Sequence, residues 1–251
     1  MRDLNLALWG PSAAGKTALL AQLFDRSHGD WEVFPTPQSL QFIERMQPVL
    51  QSDNLFPPAT TVGAEERIVY LFRNQKAGVT GTLNVEDRAG RESEEMNEES
   101  QRRLSAADGL VLLFDPVRDR RKLWGEVRTA LQRLHVMSGR GAEKDSRPIA
   151  VCLSKADLAI QSPDDLQRVH EAPEDFVRER IAPGLAEWVN RFCSNFRLFP
   201  VSAAGLRVRH GVVEPVVFYD EQLRFRIGQG GEPINLIEPF LWIFEQMEGR
   251  A

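Results

Sequence analysis

Ten residues into the chain, Gly10-Pro-Ser-Ala-Ala-Gly15-Lys16-Thr17 fits the pattern G-x-x-x-x-G-K-[ST] without a mismatch. This pattern constrains the fold more than any other feature, because its chemistry needs a strand, a tight loop and a helix in that order. The flanks comply. Leu4, Leu6, Ala7 and Leu8 read as a strand, and Ala18-Leu-Leu-Ala-Gln-Leu-Phe24 reads as a helix. In that arrangement the loop amides and the start of the helix face one anionic centre. The pattern assigns Gly10, Ser12, Ala13, Ala14, Gly15, Lys16, Thr17 and Ala18 to a phosphate-bearing ligand. Lys16 would reach the β- and γ-phosphates, and the Thr17 hydroxyl would ligate Mg²⁺. The competing explanation is a glycine-rich turn in an unrelated α/β fold.

Length and charge narrow the class. The chain has 251 residues, of which 27% are charged and 42% hydrophobic, an ordinary globular mix. A formal net charge of −5 argues against general nucleic-acid or anionic-membrane binding, which relies on clustered Lys and Arg. No apolar run approaches the roughly 18–20 residues needed to span a bilayer. With Met1-Arg2-Asp3 opening straight into the first strand, Arg2 in second position and Glu-Gly-Arg-Ala as the last residues, neither a signal peptide, N-myristoylation nor prenylation is expected. Cys152 and Cys193 read as small buried hydrophobes in a reducing cytosol. His28, His135, His170 and His210 lack metal-ligand spacing. A cytoplasmic location is therefore expected.

Apolar strand-like runs alternate with helical runs, the signature of βα units around a mostly parallel sheet. Strands are predicted at 4–9, 66–73, 80–86, 109–115, 148–154 and 197–202. Helices are predicted at 16–25, 37–51, 92–106, 122–137, 164–171, 174–193 and 235–248. Residues 74–78 form a hairpin-type connection, so one antiparallel edge strand is expected in a six-stranded α/β sheet with helices on both faces. Two segments, 25–60 and 206–234, exceed the minimum and are read as packed insertions within one domain spanning 1–251. The second should contain a small hairpin. Pro183 should kink or break the helix 174–193.

Four more segments follow the phosphate loop in order. Asn84-Val-Glu-Asp87-Arg-Ala-Gly90 ends a strand as D-x-x-G, and Thr60-Thr61-Val-Gly-Ala-Glu65 precedes another. Ser154-Lys155-Ala-Asp157 follows the apolar run Ile149–Leu153, and Phe199-Pro-Val-Ser202-Ala203-Ala204-Gly205 ends the next. With these segments the chain resembles the Ras-like branch of P-loop GTPases over nearly its whole length outside the two insertions.

The resemblance implies GTP or GDP as ligand with Mg²⁺ as cofactor. Asp87 would hold the metal through water, the Gly90 N–H would meet the γ-phosphate, and Thr61, with Thr60 as the reserve, would complete the metal's ligands. Asp157 would accept from guanine N1–H and N2–H₂, a donor pair that adenine lacks. Lys155 would lay its stem along the base plane. Ser202, Ala203 and Ala204 match the segment whose backbone N–H contacts guanine O6. Ser154 departs from the usual Asn or Thr and lacks the amide that braces the phosphate loop. The long first insertion and the two departures, Ser154 and Arg91, look more like bacterial translation-factor-related GTPase domains, including the double-GTPase type.

Catalysis is less clearly written. Lys16, Thr61, Gly90 and Arg91 are the candidate catalytic residues. Arg91 stands where Ras-like proteins usually carry the water-orienting Gln, and Arg offers no acceptor. Slow hydrolysis, or hydrolysis completed by a partner, is expected. Two other readings stay open: a GTP-binding scaffold with little hydrolysis, and a P-loop ATPase. Protein effectors or regulators would dock at the switch regions, where Glu92–Ser100 is strongly acidic. The sequence leaves the partner and the oligomeric state unspecified.

Overall fold

The computed structural model describes residues 3–24, 26–51, 55–56, 66–87, 98–117, 120–137, 143–222 and 225–248. Strand β1 (Asp3–Trp9) shows how the sequence sets the layers. Its side chains alternate, so Leu4, Leu6 and Leu8 bury into one core and Ala7 into another on the opposite face. The strands β2 (Ser27–His28), β3 (Trp31–Pro35), β4 (Glu66–Asn74), β5 (Val79–Asp87), β6 (Gly109–Phe114), β7 (Ile149–Leu153) and β8 (Phe196–Pro200) join it in the order β2-β3-β4-β5-β1-β6-β7-β8.

All six predicted strands are present within a residue or two of their expected bounds. The expected six-stranded sheet is nevertheless too small. The sheet has eight strands of mixed orientation. The run β5-β1-β6-β7-β8 is parallel, whereas the pairs β2/β3, β3/β4 and β4/β5 are antiparallel. The two unforeseen strands lie in the 25–60 segment. Trp31-Glu-Val-Phe-Pro35 alternates over too few residues to distinguish a strand from a loop without its partner. That partner is β4, with Val33 opposite Phe72 and Phe34 opposite Leu71. Ring contacts then fix the edge, as Trp31 stacks on Phe244 at 4.6 Å.

Helices cover both faces. On one side lie α1 (Lys16–Gln22), α2 (Pro37–Gln51) and, closing the chain, α8 (Glu238–Glu248). The helix predicted at 37–51 is present as α2, and its Phe42, Ile43, Met46 and Leu50 all bury in the first core. Tyr70 of β4 donates its hydroxyl to the Leu20 carbonyl of α1 at 2.5 Å, and the buried Ser39 Oγ accepts from Val69 N–H at 2.7 Å. These two bonds lock the inserted α2 and the antiparallel strands onto the phosphate-loop helix.

The other face carries α3 (Glu98–Ala106), α4 (Arg120–Met137), α5 (Pro163–Glu171), α6 (Pro173–Phe176) and α7 (Leu185–Val189). The predicted helix 174–193 is interrupted as Pro183 demands. A π-type turn, Val177–Ile181, follows α6, and Gly184 at φ 84 starts α7. Arg147 ties this layer together. Its guanidinium pairs with buried Asp145 at 2.7 Å and donates to the Leu104 and Ala107 carbonyls at the end of α3.

Beyond β8 the chain forms strands β9 (Ser202–Arg209), β10 (Val212–Pro215) and β13 (Glu232–Ile234) in the order β10-β9-β13. The expected hairpin is present as β11 (Val217–Tyr219) against β12 (Phe225–Ile227). No described helix is long and apolar enough to cross a membrane.

Candidate functional site

The carboxyl ends of β1, β5, β6, β7 and β8 line one edge of the sheet, and strand order reverses around β1. Ligands of open α/β sheets bind at such an edge, where successive crossovers diverge to opposite faces.

The phosphate loop leaves β1 here. Ala13 and Gly15 both adopt positive φ, 60° and 93°, with Ala14 buried between them. Left-handed residues in a loop that enters a helix turn backbone N–H groups toward a concave anion-binding site. Gly10 is required by close approach, since a Cβ there would stand 2.3 Å from the Leu113 carbonyl oxygen of β6. Lys16 opens α1 and bends its ammonium back over the loop, donating to the Gly10 and Pro11 carbonyls at 2.7 and 2.9 Å. The cation therefore sits at the loop's own mouth. Thr17 and Ala18 follow in the first turn of the helix, half-buried.

The second predicted cluster leaves β7. Ser154 lies beside the phosphate loop, its Cβ 3.9 Å from where a Cβ on Gly15 would be. Its hydroxyl donates to the Phe114 carbonyl at 3.1 Å, so it binds the end of β6 and braces that strand end instead of the loop. Lys155 is left-handed at φ 58, and Ala156–Leu158 forms a 3₁₀ turn. Ala156 N–H donates to the Val201 carbonyl at 3.0 Å, which fastens this turn to the end of β8.

That bond brings Asp157 and Ser202 together. The Ser202 hydroxyl donates to Asp157 Oδ1 at 2.5 Å and accepts from Gly205 N–H at 2.9 Å. Asp157 is 3% exposed. Burial raises its carboxyl above the ordinary range, against the Ser202 hydrogen bond, its own backbone amide and nearby Lys155, which all pull it down. A carboxylate held this way is an oriented acceptor in a weakly solvated position. Ser202, Ala203 and Ala204 open β9, so the segment expected to end a strand instead begins a new one.

Asp87 ends β5, next to β1 in parallel register, so its backbone reaches the same sheet edge as the phosphate loop. Thr60, Thr61, Gly90 and Arg91 lie outside the described residues.

Sequence reading missed Asp115. It directly follows β6, is 5% exposed, and holds Lys155 Nζ at 2.5 Å through Oδ2. The signal available was a single Asp after a fully apolar strand, Gly109–Phe114, a pattern too common to stand out.

A strand–loop–helix phosphate cradle, a second polar cluster two strands away and a parallel sheet between helical layers together define a P-loop GTPase domain. The chain belongs to the Double-GTPase 2 family, whose model matches residues 5–213. Among solved structures, the Arl6 (BBS3) small GTPase of Trypanosoma brucei, determined with the bound nucleotide analogue GppNp, is similar over 100% of both chains. It shares 14% identity at a TM-score of 0.48, too distant to transfer residue roles. A search of curated proteins returns no match.

Proposed function

We propose that this protein binds GTP with Mg²⁺ and acts as a nucleotide-gated switch, hydrolysing GTP to GDP slowly or with help from a partner. One observation carries the reading. The Lys16 cradle follows β1 and the Ser202-braced Asp157 carboxylate follows β7, so both lie at the carboxyl edge of the same parallel sheet. Family membership supports it.

Asp157 selects the base. Guanine presents N1–H and N2–H₂ side by side, and a fixed carboxylate accepts both. Adenine presents no such pair, so a buried acceptor would be left unpaired against it. Lys155 contributes its stem to the base plane. Ser12 to Ala18 and Lys16 hold the phosphates, where Lys16 exchanges its loop carbonyls for phosphate oxygens.

The donor set suits Mg²⁺. Thr17, Thr61 and Asp87 offer hard oxygens, and among the described residues no cluster of three or more His, Cys, Asp or Glu side chains competes as a metal cage. Few protein oxygens plus substrate phosphates is the usual Mg²⁺ environment. When bound there, the ion would neutralise charge on the β- and γ-phosphates. Gly90 N–H and Lys16 would stabilise the transferring phosphoryl group. Arg91 supplies charge but no acceptor for orienting water, which sets the expectation of slow turnover. Effectors or regulators would dock on the switch segments around Thr61 and Gly90–Ser100.

Single-turnover GTP hydrolysis by the purified protein tests the enzymatic reading. The expected rate lies well below one per second and falls further in Lys16→Ala. Rapid unassisted turnover would overturn the role given to Arg91. Arg91 also favours a second reading, a GTP-binding scaffold, and multiple-turnover phosphate release separates the two. Competition of ATP, GTP and GDP for a fluorescent nucleotide tests the base: ATP prevailing would return the site to a P-loop ATPase.

A further inference from the structure

Lys155 is restrained in two ways. Its backbone holds a left-handed conformation, φ 58 and ψ 33, which costs a non-glycine residue about 1–2 kcal/mol. Its ammonium is drawn to Asp115 Oδ2 at 2.5 Å. Asp115 is itself fixed, because its Oδ1 accepts from the Val117 N–H at 2.9 Å across the turn after β6. The two residues end neighbouring parallel strands, with Phe114 opposite Leu153 in register. The Lys155 stem therefore runs from the turn after β7 toward the end of β6, along the carboxyl edge of the sheet. The pair is asymmetric: the Asp115 side chain is 4% exposed, that of Lys155 38%. The carboxylate is sealed, and the lysine keeps an open flank.

We propose that Asp115 is a positioning residue for the nucleotide base. By anchoring the ammonium, it holds the Lys155 stem as a flat apolar support on which a purine ring can lie. An unanchored lysine would have to surrender several rotamers on binding, and the anchor removes that cost from the bound state. The inference rests on the guanine-nucleotide reading above and adds a residue to it. An alternative role, that the lysine merely neutralises a buried carboxylate, predicts different measurements.

The test is a double-mutant cycle on GDP affinity with Asp115→Asn, Lys155→Met and the double variant. Inorganic tripolyphosphate serves as a base-free probe of the phosphate loop, and thermal unfolding of the nucleotide-free protein is followed alongside. Asp115→Asn is expected to weaken GDP binding about tenfold, the scale of one side chain's lost pre-organisation. Lys155→Met should weaken it at least as much, and the double variant no further than Lys155→Met. Tripolyphosphate affinity should stay unchanged in all three. Additive losses, or equal losses for tripolyphosphate, overturn the proposal in favour of a purely structural pair. Should Asp115→Asn fail to fold, Asp115→Glu keeps the charge but displaces it by one methylene, and an unchanged GDP affinity there overturns the proposal equally. Failure of the wild-type protein to bind GDP removes the nucleotide reading and this inference together, whereas additivity in a GDP-binding protein removes the inference alone.

Discussion

Replacing Asp157 with Asn changes one oxygen to an NH₂ group at nearly constant volume, inside a site whose other partner is known. In the wild-type protein Oδ1 accepts from Ser202 at 2.5 Å and retains lone-pair capacity, so both oxygens can receive guanine N–H groups. Hydrogen bonds to a charged acceptor contribute about 1.5–3 kcal/mol each. The variant loses the charge on one bond and turns the other into a donor facing a donor. A loss of about 3 kcal/mol or more follows, roughly a hundredfold or greater in GDP affinity. Xanthine carries a carbonyl where guanine carries the amino group, so the new NH₂ should recover affinity for xanthosine diphosphate.

The pH dependence has a definite sign. Burial raises the Asp157 carboxyl above its ordinary value of 3.8. The nucleotide-free fold therefore binds this proton more readily than the unfolded chain, and Asp157's contribution to stability declines as pH rises from the ordinary value through the raised one. Guanine favours the ionised form, so wild-type GDP affinity should fall on acidification, starting above the usual carboxylate range. Asp157→Asn should abolish that dependence and leave the free protein no less stable. Displacement of a fluorescent GDP analogue by GDP and xanthosine diphosphate, between pH 5 and 8, reads every part. GDP affinity within threefold of wild type, or no gain for xanthosine diphosphate, would refute the assignment of Asp157 to the base.

Ser154→Asn should tighten GDP binding several-fold by adding an amide beside Gly15, and an unchanged Kd would show that the existing hydroxyl bond already suffices. Gly10→Ala places a methyl 2.3 Å from the Leu113 carbonyl oxygen. It should cost about 3 kcal/mol and lower Tm by roughly 10 °C in calorimetry. Arg147→Met removes the guanidinium that pairs with buried Asp145 and bonds the Leu104 and Ala107 carbonyls, and should cost about 3 kcal/mol in urea unfolding, with Asp145→Asn in the same chain restoring part of it. Changing Glu94, Glu95, Glu98 and Glu99 to Gln should weaken GTP-dependent capture of a partner protein, and undiminished capture would discard the acidic switch surface.

The phosphate loop, the six principal strands and the helix at 37–51 were legible because each is a local pattern. Periodicity, glycine placement and proline placement act within a few residues, and Pro183 breaks its helix for that local reason. The motif and the resemblance to P-loop GTPases also singled out Lys16, Ser154, Lys155, Asp157 and Ser202 as candidates. What needed the tertiary structure were relations between distant segments. The strand at Trp31–Pro35 exists because β4 offers it an edge, and its tryptophan because Phe244, more than two hundred residues on, offers it a ring. Ser202 meets Asp157 only through the fastening of the 3₁₀ turn to β8, and Ser202–Ala204 begins a strand because β13 returns to pair with it. Asp115 carried only a commonplace signal, an Asp after an apolar strand, because its ion pair forms across adjacent strand ends. Short-range backbone and side-chain preferences are encoded residue by residue, whereas a carboxylate's partner and burial are decided only when the sheet is assembled.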